Sequence, residues 1–94
     1  MRYIDVRWIH DYEEEPIRLV SEIGPDNFER RKLEFFRNGK VGVASKSIEV
    51  AGTRVGIVEV PSIEEITSQQ EFEGCEINKN EFELLWQKYL PSSS

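Results

Sequence analysis

At Pro61 the apolar pattern of this chain changes period, and that change limits the fold more than any other feature of the sequence. Before it, apolar residues recur at every second position, the spacing of a strand with one buried face. In Arg2–Ile9, residues Ile4, Val6 and Trp8 share one face while Asp5 and Arg7 take the other. An acidic loop, Asp11–Glu15, is closed by Pro16. The second strand then sets Ile17, Leu19, Ser21 and Ile23 against Arg18 and Glu22. Gly24-Pro25-Asp26-Asn27 is turn chemistry, because proline fixes φ and an Asp or Asn side chain bonds the nearby backbone. A third strand, Glu29–Arg37, turns Leu33 and Phe35 inward. It ends at Asn38-Gly39, a pair that tolerates the positive φ of a type I′ turn and predicts a hairpin returning through Val41 and Val43. Within 47–60, Gly52 and Gly56 interrupt the alternation and predict a short bent strand pair or a bulge.

Beyond Pro61 the spacing is helical. Ser62-Ile63-Glu64-Glu65 is a capping box, and Ile63 and Ile66 fit one short helix behind it. Glu71–Ile77 reads as a brief extended piece holding Phe72. Asn78 and Glu81 repeat the cap-and-acid spacing, and Phe82, Leu85, Trp86 and Tyr89 follow at i, i+3, i+4 and i+7 until Leu90-Pro91 stops the helix. Neither a half-apolar sheet nor an amphipathic helix buries its own face. The expected fold is therefore α+β: a meander of hairpins forming an antiparallel sheet of about four to six strands, covered on one face by C-terminal helices. Trp8, Leu33, Phe35, Phe82 and Trp86 are expected to share its core. Residues 1–90 form a single domain, with 91–94 as a short tail.

Composition narrows function mainly by exclusion. One cysteine, Cys75, allows no internal disulfide, and with the single His10 it leaves no zinc constellation, so neither metal nor cofactor is expected. No apolar run approaches the ~20 residues of a membrane span. The start, Met1-Arg2-Tyr3, runs directly into the strand pattern, and a lone thiol fits a reducing, cytoplasmic setting. His10 stands beside Asp11, but strand neighbours point to opposite faces and no nucleophile motif is near, so catalysis is not expected. Arg30-Arg31-Lys32 near Phe35 and Phe36 has the ingredients of a single-strand nucleic-acid binder. Alternation divides those charges between two faces, where pairing with the chain's many acids accounts for them.

The acids are unevenly spread. Residues 1–60 carry 10 Lys/Arg and 11 Asp/Glu, a balance of −1, while residues 61–94 carry 2 and 7, a balance of −5. Such a surface repels phosphate backbones, which excludes nucleic acid as the expected partner. Two acid-rich segments are the candidate partner-binding residues: Asp11, Glu13, Glu14 and Glu15 in the first loop, and Glu71, Glu73 and Glu76 ahead of the last helix. The loop lacks the alternating ligands, central glycine and distal glutamate of a calcium site.

The pattern Tyr3-Ile4-x-Val6-x-Trp8-x-His10, with Pro16 and Ser21-Glu22, resembles a family of small uncharacterised bacterial proteins. The resemblance continues through Arg31-Lys32-x-Glu34-x-Phe36-x-Asn38-Gly39, Pro61-Ser62-Ile63-Glu64-Glu65-Ile66 and Glu81-Phe82-x-x-Leu85-Trp86, covering residues 3 to 86. Members often have Asp-Gly where this chain has Asn38-Gly39, a change compatible with the same turn. The resemblance brings no catalytic residue. Some relatives sit among toxin–immunity loci, which implies a role in blocking a partner protein. The expected function is thus a non-catalytic protein-binding domain, most concretely an immunity-type inhibitor that binds a basic toxin or effector through an acidic surface. The alternative is a structural or regulatory interaction domain of unknown partner, and a small enzyme or nucleic-acid binder ranks below both.

Overall fold

Two hairpins of the same construction set the sheet in this computed structural model, which describes residues 1–90. The expected tail, 91–94, lies outside the described residues. Strands β2 (Pro16–Ile23) and β3 (Glu29–Phe36) meet across Gly24–Phe28, where the Gly24 N–H donates to Phe28 O at 2.9 Å and Asn27 has φ 69°. Strands β3 and β4 (Val41–Ala44) meet in the same way. The Phe36 N–H donates to Lys40 O at 2.9 Å, the Gly39 N–H to Phe36 O at 3.0 Å, and Gly39 has φ 91°. Each is a three-residue loop whose last residue is left-handed. The hairpin at Asn38-Gly39 therefore forms, but as a different turn from the type I′ expected, because Asn38 keeps a negative φ. Its side chain serves the turn instead, Oδ1 accepting from the Lys40 N–H at 3.0 Å.

The paired positive φ values occur further on. The bent segment expected within 47–60 is a two-residue strand, β5 (Glu49–Val50), followed by a turn at Ala51 (φ 57°) and Gly52 (φ 77°). With β1 (Arg2–Trp8) and β6 (Phe72–Glu76), the six strands make one antiparallel sheet in the order β5-β4-β3-β2-β1-β6. Five are neighbours in sequence; β6 crosses from the far end of the chain to pair with β1.

Both helices begin at the caps read from sequence. Helix α1 (Ile63–Thr67) has the Ser62 hydroxyl accepting from the Glu65 N–H at 3.2 Å. Helix α2 (Lys79–Tyr89) has the Asn78 side chain accepting from the Glu81 N–H at 2.8 Å. At its end Leu90 turns extended (ψ 127°), as a residue before proline must.

Helix α2 lays Phe82 and Trp86 on Tyr3, Val20, Leu33 and Val43, with Phe35, Leu85 and Tyr89 at the margin. The other sheet face is covered too. Ile4, Val6 and Ile23 lie there beneath Val60, Ile63, Ile66 and Phe72. Strand alternation puts Trp8 on the side of Ile4 and Val6, where it stacks on Phe72 at 6.0 Å. The expectation that Trp8 would share a core with Trp86 is therefore corrected: the two indoles lie on opposite faces of the sheet. Period two identified which residues of β1 point together. It could not say which of two covered faces they join.

Beside Ile4 and Val6 the second face turns polar. The Ser21 hydroxyl donates to Glu29 at 2.9 Å, Lys32 Nζ stands 3.2 Å from Glu29, and the Thr53 hydroxyl donates to Glu34 at 2.7 Å. The Gly56 N–H completes the set with a 2.7 Å bond to Glu29. These contacts hold the segment after β5 against the sheet with polar bonds where an apolar cover is missing.

Candidate acidic binding surface

The first loop owes its shape to a ladder of rings. The His10 ring lies 4.2 Å from Trp8 and 5.3 Å from Tyr12, and Trp8 rests on Phe72. Both imidazole nitrogens are engaged with backbone: Nδ1 accepts from the Tyr12 N–H at 2.9 Å, which leaves Nε2–H to donate to Pro16 O at 2.8 Å. The Arg37 guanidinium donates to His10 O at 2.7 Å from the neighbouring hairpin. His10 is thus the pin that folds this loop back onto the strand it left.

That pinning turns the carboxylates outward. Asp11, Glu13, Glu14 and Glu15 are all exposed. The last three border an open groove of about 620 Å³ with Trp8 and Tyr12. Aromatic rings form its apolar side and carboxylates its rim. Lys40 shares a second depression with Glu13 and Glu14, so the rim is acidic but not without a cation nearby.

The second acid-rich segment divides. The Ile9 N–H donates to Glu71 O at 2.7 Å, which brings Glu71 to the same end of the sheet as the Asp11–Glu15 loop. Glu73 pairs with Arg7 in register and borders a groove with Asp5, Arg7 and Arg18 on the face that α2 covers further along. Glu76 lies opposite Ile4 at the other end of β6, in a groove with Arg2, Glu59 and Glu65. Five of the seven candidate residues therefore lie at one end of the sheet, while Glu73 and Glu76 lie along the edge strand on opposite faces. A local pattern could not join them, because the β1–β6 pairing links segments more than sixty residues apart.

The basic run is consumed in ion pairs. Arg30 meets Asp26 at 2.9 Å, and Lys32 lies between Glu29 and Glu34. Arg31 holds Glu22 with two 2.7 Å bonds, also binds Glu83 of α2, and stands 4.9 Å over Phe82 and 5.0 Å over Trp86. Hydrogen bonds from Arg31 pull the Glu22 carboxyl below its ordinary value, against the opposing effect of burial. The same bonds to Glu22 raise Arg31. Burial raises the neighbouring Tyr3 phenol, with the Glu22 charge adding to it. This network is a structural joint between sheet and helix.

Among the described residues no three His, Cys, Asp or Glu side chains converge as a metal ion would require. No described helix is long and apolar enough to cross a membrane. The sequence matches the family described as Domain of unknown function (DUF6881) over residues 2–91. The chain belongs to that family. No curated protein and no solved structure matches it. The family match spans the whole sheet and both helices, so the fold described here belongs to the matched region rather than to an appended segment.

Proposed function

We propose that this domain is a non-catalytic protein-binding module whose acidic corner engages a basic partner, most concretely as an immunity-type inhibitor of a toxin or effector in the bacterial cytoplasm. The observation that carries the reading is the aromatic-lined groove bordered by Glu13, Glu14 and Glu15, to whose end of the sheet the Ile9–Glu71 backbone contact also brings Glu71. Carboxylates on a rim attract and orient a cationic surface, and rings beneath them supply the apolar contact area on which affinity depends. Two further observations support it. His10, the single imidazole, is hydrogen-bonded to loop backbone, and the Arg30–Lys32 run is paired with carboxylates of the same chain, which favours structural roles for both.

A second reading, a regulatory interaction domain, draws on a different surface. Ile57 and Val58 are 90% and 71% exposed at the tip of the segment after β5. A partner held there would be selected by shape rather than by charge.

The test begins with the product of the adjacent gene, or a partner captured by pull-down, and measures association against ionic strength. The Debye length falls from ~10 Å at 0.1 M to ~3 Å at 1 M, so a charge-guided encounter slows as salt is added. Replacing Asp11, Glu13, Glu14 and Glu15 with Asn and Gln is expected to lower the rate at low salt about tenfold and to flatten its salt dependence. An unchanged rate and slope would overturn the acidic-corner reading. Loss of binding in an Ile57→Ser, Val58→Ser variant would then support the second one.

A further inference from the structure

We infer that the outer edge of β6 accepts an extended, basic segment of a partner as an additional strand. This rests on the protein-binding reading above and specifies the partner's conformation and chemistry.

The pairing pattern fixes which backbone groups are free. The Ile9 N–H bonds Glu71 O, and the Ile77 N–H bonds Tyr3 O at 2.9 Å, with Arg7↔Glu73 and Asp5↔Cys75 in register between them. In an antiparallel ladder the residues of that parity bond inward and the alternate residues face away. The carbonyl of Phe72 and both backbone groups of Gly74 and Glu76 therefore point off the sheet. Among the described residues none has a backbone partner; the Phe72 N–H is already bound to Gln69 O at 3.0 Å.

An open edge is normally blunted by proline, by charged side chains and lysine above all, by a bulge or by extreme shortness. The opposite edge, β5, is only two residues long. Strand β6 has five residues, no proline, no lysine and no register shift against β1, and Glu73, Gly74, Cys75 and Glu76 are all exposed. Its charges, Glu73 and Glu76, turn away an acidic strand but not a basic one.

Charge selects the occupant. Between Arg54 and Lys79 the chain carries Glu59, Glu64, Glu65, Glu71, Glu73 and Glu76 and no basic residue. Alternation places Glu73 on one face of β6 and Glu76 on the other, so cations on either side of an incoming strand meet a carboxylate. A second copy fits poorly. Antiparallel self-pairing about Gly74 would set Glu73 diagonal to its own counterpart and join two acidic strands with no cation between them. The edge therefore suits a lysine- or arginine-bearing strand of another protein, bound through main-chain hydrogen bonds with its side chains read by charge.

The experiment uses the full chain, isotopically labelled, with a short end-blocked peptide alternating lysine and valine as probe and its glutamate–valine counterpart as control. The basic peptide is expected to slow exchange of the Gly74 and Glu76 amides, and the acidic one to leave them unchanged. Glu76→Pro deletes one outward donor while the inward bonds to β1 remain, and is expected to weaken the basic peptide about tenfold. Glu76→Gln, which removes charge alone, should cost about threefold or less. Equal affinity of the two variants, or protection confined to the Asp11–Glu15 loop, overturns the edge. Gly74 and Glu76 amides already protected in a dimer of the protein alone would overturn it in favour of a second copy. Should Glu76→Pro fail to fold, the exchange pattern of the unsubstituted protein decides. With the partner itself, normal binding by Glu76→Pro and weak binding by the neutralised loop would reject the edge while keeping the acidic corner; normal binding by both would reject each.

Discussion

Thr53 fills the space that a side chain on Gly42 would need: a Cβ at Gly42 would overlap Thr53 Oγ1. Thr53 is only 1% exposed, and its hydroxyl donates to Glu34 at 2.7 Å. Gly42→Ala must therefore expel Thr53 and leave Glu34 without that donor. The expected loss is about 1–3 kcal/mol in chemical denaturation, with faster amide exchange across residues 51–60. Thr53→Val keeps the shape and removes only the hydroxyl, so it should reproduce the stability loss with little change in backbone position.

Phe82, on the sheet-facing side of α2, is completely buried. Phe82→Ala is expected to cost about 3–5 kcal/mol in urea unfolding. A comparable truncation at exposed Leu84 should change stability by less than about 0.5 kcal/mol.

Glu22 gives the fold an acid limit. Its carboxyl sits below the ordinary value of 4.5 because Arg31 hydrogen-bonds the charged form. A carboxyl lowered on folding adds stability above its unfolded value and loses it as pH falls through the folded one. Stability should therefore decline as pH falls below about 4.5, and Glu22→Gln should show a shallower decline from a lower starting point. At neutral pH, Arg31→Met should cost about 3 kcal/mol, since Glu22 would be left buried and unpaired. Tyr3 acts at the alkaline end. Its phenol is raised from 10.0, so the unfolded chain releases the proton first and stability falls as pH passes above that value.

Ala51 holds a left-handed φ of 57°, a conformation that a Cβ disfavours. Ala51→Asn is expected to stabilise the protein by about 0.5 kcal/mol, read as a raised denaturation midpoint.

Local signals were legible; long-range ones were not. The stripe Phe82, Leu85, Trp86 and Tyr89 identifies a helix because each member lies within a turn or two of the next. Ser62 and Asn78 identify helix starts because capping acts across three residues. The side of the sheet that Trp8 joins depends on both faces being covered, by α2 on one and by α1 with the segment after β5 on the other. No spacing within β1 records that. The type I′ assignment at Asn38-Gly39 failed for a similar reason, since the pair suits more than one hairpin and the flanking Phe36–Lys40 contact selects between them. At the candidate surface the carboxylates could be named from sequence, but their grouping depends on β6 reaching β1.

That same pairing orders the events of synthesis. A chain leaving the ribosome releases β1 to β4 before residues 72–76 emerge to join them. Any sheet formed by those strands alone has β1 as its margin, with the backbone groups of Tyr3, Asp5, Arg7 and Ile9 open to solvent and to other chains. Arrival of β6 seals those groups and in the same step exposes Gly74 and Glu76. The sheet thus exchanges an early, partly apolar border for a late, acidic one, and only a finished molecule presents it.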